Sequence, residues 1–334
     1  MKPRYILVTG AGSGIGRAIA EALLADGHVV AATGRREAPL ADLVGPDAAP
    51  GSLGRACDMS DPAAVEALFA GLADSWPRLD AVVHSAGIYG PIGLFHETDP
   101  QEWLAAITNN LFGFYLVARA AVPLLQHGHL PRILAVAGGG AFTPLPRCSA
   151  YGSAKAGIVR LVETAAGELA PLGIAALALA PGFVATDIHR ETIKAGPEKA
   201  GRDYYEFTLS RLQEGSVPMS LVVDCARFLL GDAAHALSGR TISASFDPWA
   251  EPEFLASLPL LQGSELYRGE RINLRHLAPG DPLREALTSA QSRTYVARRQ
   301  AAGPAAGAAQ HPEGEDGMEK AAEAPGRRPG RAHG

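Results

Sequence analysis

"YILVTGAGSGIG", residues 5–16, decides how the rest of the chain is read. A short apolar, β-prone run enters a turn with glycines at 10, 12, 14 and 16. "GRAIAEALLADG" (residues 16–27) follows with the apolar spacing of a helix and a closing glycine. A strand, a glycine turn and a helix in that order bring main-chain N–H groups close to any phosphate in the turn. The helix N-terminus behind them adds partial positive charge. Glycine suits the turn because no Cβ blocks the approach of backbone to ligand. The same pattern also suits an ordinary strand–helix turn, so its surroundings decide.

Outward from the turn the alternation continues. "HVVAATG" (28–34), "LGRACDMS" (53–60), "LDAVVHSAG" (79–87), "PRILAVAGGG" (131–140), "IAALALAPG" (174–182) and "SGRTISASF" (238–246) read as strands. Between them lie helical stretches at 61–77, capped by Asp61 with Pro62 in first position, and at 99–125, a long helix capped by Asp99. Further helices fall at 150–173 and 220–232. Strands that are apolar throughout, alternating with helices, predict an α/β protein. Its expected architecture is a Rossmann-like, doubly wound parallel sheet with helices on both faces. Ligands of such sheets bind beyond the carboxyl ends of the strands, where strand order reverses.

Residues 1–247 form the predicted catalytic domain. Residues 248–299 keep apolar side chains without the strand–helix rhythm and are expected to pack on it as an extension. Residues 300–334 are Ala, Gly, Pro and mixed charge, which cannot bury enough surface to offset ordering entropy, and are expected to be a disordered tail.

Composition sets outer limits. With 47% hydrophobic residues, 19% charged residues and a net charge of −5, the chain lacks the basic excess that nucleic acid binding requires. No apolar run approaches the roughly 20 residues of a membrane span, and the N-terminal run is too short for a signal-peptide core. Cys57, Cys148 and Cys225 form neither a metal-ligand cluster nor a disulfide framework, so no metal is expected and the location is read as cytoplasmic.

Further motifs extend the pattern of the glycine turn. Gly10, Gly14 and Gly16 have the spacing of TGxxxGIG, "CDMSD" ends the third strand, "SAG" (85–87) the fourth, and "PGFVATDI" (181–188) follows the sixth. Tyr151 and Lys155 stand four apart at the start of a helix, on one face. Over roughly residues 4–246 the chain resembles the short-chain dehydrogenase/reductase family. The resemblance implies a nicotinamide dinucleotide on Gly10, Ser13, Gly14, Ile15 and Gly16, with Asp58 and Met59 at the adenine. It further implies Ser85, Ala86 and Gly87 along the fourth strand, and Pro181, Gly182, Val184 and Thr186 at the nicotinamide. Tyr151 would be the proton donor and acceptor, and Lys155 would also bind the nicotinamide ribose. Asn110, or as an alternative its neighbour Asn109, would support a water in the proton relay. Equivalent helices in the family build homodimers or homotetramers.

Gly34 closes the second strand where an acidic residue would select NAD, and Arg35 and Arg36 follow it. Guanidinium groups suit a 2′-phosphate, so NADP is expected, with NAD possible. For Tyr151, an ammonium one turn away and a positive nicotinamide ring both favour the phenolate. The pair then exchanges a proton with a substrate hydroxyl.

One departure stands out. The family's serine, thirteen residues before the tyrosine, is here Gly138. Losing one such donor costs on the order of 3 kcal/mol in the transition state. The N–H groups of Gly138 to Gly140, Thr143 and Ser149 are candidate replacements. The expected activity is hydride transfer between NADP(H) and a small alcohol or ketone; the alternative is a dinucleotide-binding scaffold with little turnover. Residues 186–217 read as a long connection with a helix over 196–215, whose Tyr204, Tyr205 and Phe207 either line a substrate pocket or pack in the core. His189 and Arg190 there are candidates to meet an acidic substrate. Trp249 either closes the pocket or packs.

Overall fold

The computed structural model describes residues 2–261 together with 264, 266–268, 282, 283 and 287. Seven strands, β1 (Tyr5–Thr9), β2 (Val29–Gly34), β3 (Leu53–Ala56), β4 (Ala81–His84), β5 (Arg132–Val136), β6 (Ala175–Ala180) and β7 (Thr241–Ser243), form one sheet. Its order is β3-β2-β1-β4-β5-β6-β7, and every pairing is parallel. The chain winds outward from β1 to β3, then returns to the other side of β1. The reversal falls between β1 and β4, which leaves a crevice beyond their carboxyl ends.

Helices cover both faces because successive strand residues point to opposite sides. Ile6 and Val8 belong to one buried layer, with Ile19 of α1 (Gly14–Ala25) and Val222 and Leu229 of α9 (Met219–Leu230). Leu7 belongs to the other, with Leu68 of α3 (Pro62–Ser75), Val117 of α5 (Gly113–Leu125) and Val162 of α6 (Ser149–Leu169). Asp61 caps α3 by accepting from the Ala63 N–H, and Asp99 caps α4 (Pro100–Ile107) through the N–H groups of Gln101 and Glu102. Each such cap is worth about 1 kcal/mol.

Two predicted elements differ. The long helix expected at 99–125 is α4 and α5 joined by a π-helical turn, Thr108–Phe112. Residues 186–217 hold two helices, α7 (Asp187–Ala200) and α8 (Arg202–Glu214), where one was expected. Gly196, at φ +77° just before Pro197, kinks α7, and Gly201, at φ +81°, separates it from α8. A side chain at either position would strain the backbone.

Beyond β7, α10 (Pro252–Leu261) adds Phe254, Leu258 and Leu261 to the first layer. Trp249 lies in the same layer, stacked on Phe228, with its indole N–H on the Ala244 carbonyl. It packs and does not close the pocket. Arg132, buried inside β5, donates to the carbonyls of Leu229 and Gly231 at the end of α9, which ties that helix to the sheet. Burial pulls its pKa down to about 10. Most of the expected extension from 262 on, and all of the expected tail 300–334, lie outside the described residues. Among the described residues no helix is long and apolar enough to cross a membrane.

Candidate active site

The crevice at the β1/β4 reversal opens into a cleft of about 2260 Å³. Gly10, Ser13, Gly14 and Ile15 form its floor. Gly10 takes φ +68°, and a Cβ there would lie 2.7 Å from the Ala86 nitrogen. A Cβ on Gly16 would lie 2.5 Å from the Gly10 carbonyl oxygen, so this glycine shapes the turn from behind and does not itself line the cleft. Ser13 precedes α1 in extended conformation, and its side chain does not cap the helix. The first N–H groups of α1 therefore face the cleft without a capping oxygen. A close-approach glycine cradle over a helix N-terminus fits a dinucleotide pyrophosphate.

The remaining predicted cofactor residues fall into place unevenly. Arg35, Met59, Ser85, Ala86, Gly87, Pro181, Gly182, Val184 and Thr186 all line the cleft, as does Arg36. Asp58 does not. Its carboxylate is turned onto Ser60, accepting from that residue's N–H at 2.9 Å and hydroxyl at 2.6 Å. Those bonds, with nearby Arg35, hold its pKa below the usual carboxylate value.

Asn110 is buried in the π-helical turn, and its neighbour Asn109 reaches the cleft instead. The Asn110 amide is fully engaged: Nδ2 donates to the carbonyls of Ile88 and Ala106, and Oδ1 accepts from the Ile88 N–H. It therefore fixes the loop after β4. A Cβ on Gly87 would lie 2.5 Å from Asn110 Oδ1 and 3.8 Å from Lys155 Nζ, which places both side chains beside that glycine.

Tyr151 and Lys155 line the cleft from the first two turns of α6. Lys155 Nζ donates to the Val136 carbonyl at 2.8 Å and stands 5.5 Å from the Tyr151 ring centre. Burial outweighs the expected effect of this ammonium on the phenol. Burial dominates both groups, pushing the phenol well above its ordinary 10 and the lysine down to about 8. Desolvation penalises each charged form, so both neutral forms gain.

At the position of the family's serine, a side chain on Gly138 would require Tyr151 to shift. A Cβ would lie 2.6 Å from the Tyr151 hydroxyl. Of the candidate replacements, Ser149 accepts from the Trp103 indole and does not line the cleft. Gly138, Gly139, Gly140 and Thr143 do line it, with Thr143 exposed. Cys148 is buried and its thiol pushed up to about 12 by desolvation, which leaves it inert.

The far end of the cleft is aromatic. Tyr89 stacks on Tyr151 with centres 4.6 Å apart, and its hydroxyl is hydrogen-bonded to that of Tyr204 from α8. His189 stacks on Phe183 at 3.9 Å, and burial pulls its pKa to about 4. It is neutral at physiological pH, and Arg190, exposed and paired with Asp187, does not line the cleft. Tyr89 and Phe183 were not singled out in the sequence. Their one signal is an aromatic residue just after "SAG" and "PG" at strand ends already tied to the cleft.

Strand order, glycine turn and cleft together define a dinucleotide-binding protein of the doubly wound class. Residues 4–196 match the short chain dehydrogenase family model, and the chain belongs to that family. It is an NAD(P)-dependent oxidoreductase of the short-chain dehydrogenase/reductase type. The chain is 29% identical to the short chain dehydrogenase pigC of Monascus ruber, over 82% of this chain and 86% of the relative. It is 31% identical to the 3-oxoacyl-(acyl-carrier-protein) reductase MabA of Mycobacterium tuberculosis, over 56% of this chain and 72% of that one. A variant of the actinorhodin polyketide ketoreductase, solved with NADPH, superposes with a TM-score of 0.64 at 26% identity, covering 72% of this chain and 95% of its own.

Proposed function

We propose that this protein reduces a ketone or aldehyde with NADPH, and oxidises the corresponding alcohol, with Tyr151 as general acid and base. The observation that carries the reading is the buried tyrosine–lysine pair across one cleft from the glycine cradle. The cradle would hold the pyrophosphate of a nicotinamide dinucleotide, whose ring would supply or take up hydride. Tyr151, protonated at neutral pH because burial disfavours its phenolate, gives its proton to the carbonyl oxygen. Lys155, when charged, offsets the phenolate left behind and would hold a ribose hydroxyl of the bound cofactor. Asn110 keeps the Ile88 backbone fixed beside that lysine.

Gly138 favours a second reading, a dinucleotide-binding protein with weak turnover. Purified protein mixed with NADPH and a panel of ketones and aldehydes separates the two. Turnover that Tyr151→Phe abolishes supports the enzyme; NADPH binding without turnover across the panel supports the scaffold.

Preference for NADP rests on the end of β2. Gly34 provides no carboxylate, and the exposed Arg35 lines the cleft beside it. A Cβ at Gly34 would meet its nearest neighbour, the Gly12 nitrogen, at 3.6 Å, an ordinary contact. Gly34→Asp is therefore tolerated sterically and adds the group that repels a 2′-phosphate. The expected result is NADPH affinity lowered at least about tenfold, roughly 1.4 kcal/mol, with NADH affinity raised. Fluorescence titration of both reduced cofactors measures it, and unchanged NADPH affinity removes this assignment.

We extend the reading to assembly as a homodimer or homotetramer. Support comes from Leu104, Phe112 and Tyr115, which stay exposed along α4, the π-helical turn and α5. Light scattering on the full chain gives the stoichiometry.

A further inference from the structure

Gly138 removes a hydroxyl from beside Tyr151, and the space it leaves cannot take one back without moving that tyrosine. The hydroxyl partner must come from another element. Ser149 is held by Trp103 on the far side, and the exposed Thr143 is not held in place. A third phenol stands closer to the need. Tyr204, half-buried on α8, lines the same cleft and is an electrostatic neighbour of Tyr151, second only to burial in raising its pKa.

The Tyr204 hydroxyl is also oriented. It bonds to the hydroxyl of Tyr89, whose ring is buried and stacked on Tyr151. Burial raises both phenols' pKa. Either hydroxyl can donate in the bond they share. With Tyr89 as donor, Tyr204 accepts through its oxygen and keeps its own proton to give. A half-buried phenol held by a buried one is a preorganised donor, which a developing oxyanion requires.

We propose that the Tyr204 hydroxyl, positioned by Tyr89, donates the second hydrogen bond to the substrate oxygen beside Tyr151, in place of the side chain missing at Gly138. The inference rests on the oxidoreductase reading above. It makes the helical segment α7–α8 part of the catalytic machinery, because the donor arrives only with α8 in place. Tyr204 gives no proton away in the reaction; the proton transferred is that of Tyr151, and the Tyr204 bond strengthens as charge grows on the oxygen.

The test uses the full chain with NADPH and whichever ketone of the panel turns over fastest. Tyr204→Phe keeps the ring and its packing against Phe207 while deleting one oxygen. The expected result is a kcat about 100-fold lower, with KM and NADPH affinity within about threefold of the parent. Tyr89→Phe leaves the donor present but unheld and is expected to lower kcat about fivefold. A role in packing alone would move thermal stability and leave kcat intact. Two patterns overturn the proposal and are distinguishable. Tyr151→Phe inactive with Tyr204→Phe within threefold of the parent sinks Tyr204 alone and passes the role to the N–H groups of Gly138 to Gly140. A parent protein that binds NADPH and turns over nothing on the panel sinks this inference together with the oxidoreductase reading.

Discussion

Tyr151→Phe is expected to lower kcat by about 10³-fold while NADPH affinity stays within about twofold. General acid–base catalysis by a positioned side chain contributes 10² to 10⁴ in rate, and this substitution removes the acid while keeping the ring. The ring carries the packing. It stacks on Tyr89 at 4.6 Å and sits in a small buried cluster with Cys148. The hydroxyl stands at the cleft, next to the bare Cα of Gly138. Thermal stability should therefore change little, so lost turnover cannot be ascribed to unfolding. Stopped assays at saturating NADPH, paired with fluorescence titration, separate the two quantities. A variant retaining more than a tenth of parental kcat would assign the proton to another group, with Tyr204 first in line.

What the sequence exposed was the part of the protein written in neighbouring residues. The glycine turn, β1 and α1 are contiguous, and the caps Asp61 and Asp99 act on N–H groups two or three residues away. Continuous apolar strands implied the parallel sheet, because only burial on both faces accounts for them. The π-helical turn at Thr108–Phe112 stayed hidden, since the apolar pattern of a helix hardly changes when one turn bonds to the fifth residue. Asp58 was placed by its motif, yet a local serine captured its carboxylate. Tyr89 and Tyr204 lie 115 residues apart, and no spacing rule connects them. The balance between ammonium and burial at Tyr151 was also out of reach. Adjacency of Tyr151 and Lys155 is local, but desolvation depends on how α6, β5 and the α7–α8 segment close around them.

That balance makes a second strong prediction, in which stability and activity move in opposite directions. Lys155 is buried, and its pKa stands near 8 against an ordinary 10.5. Between those values the unfolded chain holds a proton that the folded chain has released, so stability rises with pH across this window. Below pH 8 the folded protein bears the full cost of the buried ammonium, about 3 kcal/mol. Replacing the lysine by methionine removes that cost and keeps most of the volume. It also deletes the 2.8 Å bond to the Val136 carbonyl, which offsets about 1–2 kcal/mol of the gain. Lys155→Met should therefore be more stable than the parent by about 1–2 kcal/mol at pH 7, raising the melting temperature by a few degrees. The advantage should shrink as pH climbs from 8 toward 10.5, where the parent's lysine is neutral in both states. Turnover should fall by two to three orders of magnitude, because the phenolate formed at Tyr151 loses its counter-charge. Denaturant melts at pH 7 and pH 10, with kcat at pH 7, measure both sides. A methionine variant less stable than the parent at pH 7 would show that the ammonium is held for structure. A gain in stability paired with loss of turnover marks a charge kept in the core, at a cost to the fold, for the reaction it serves.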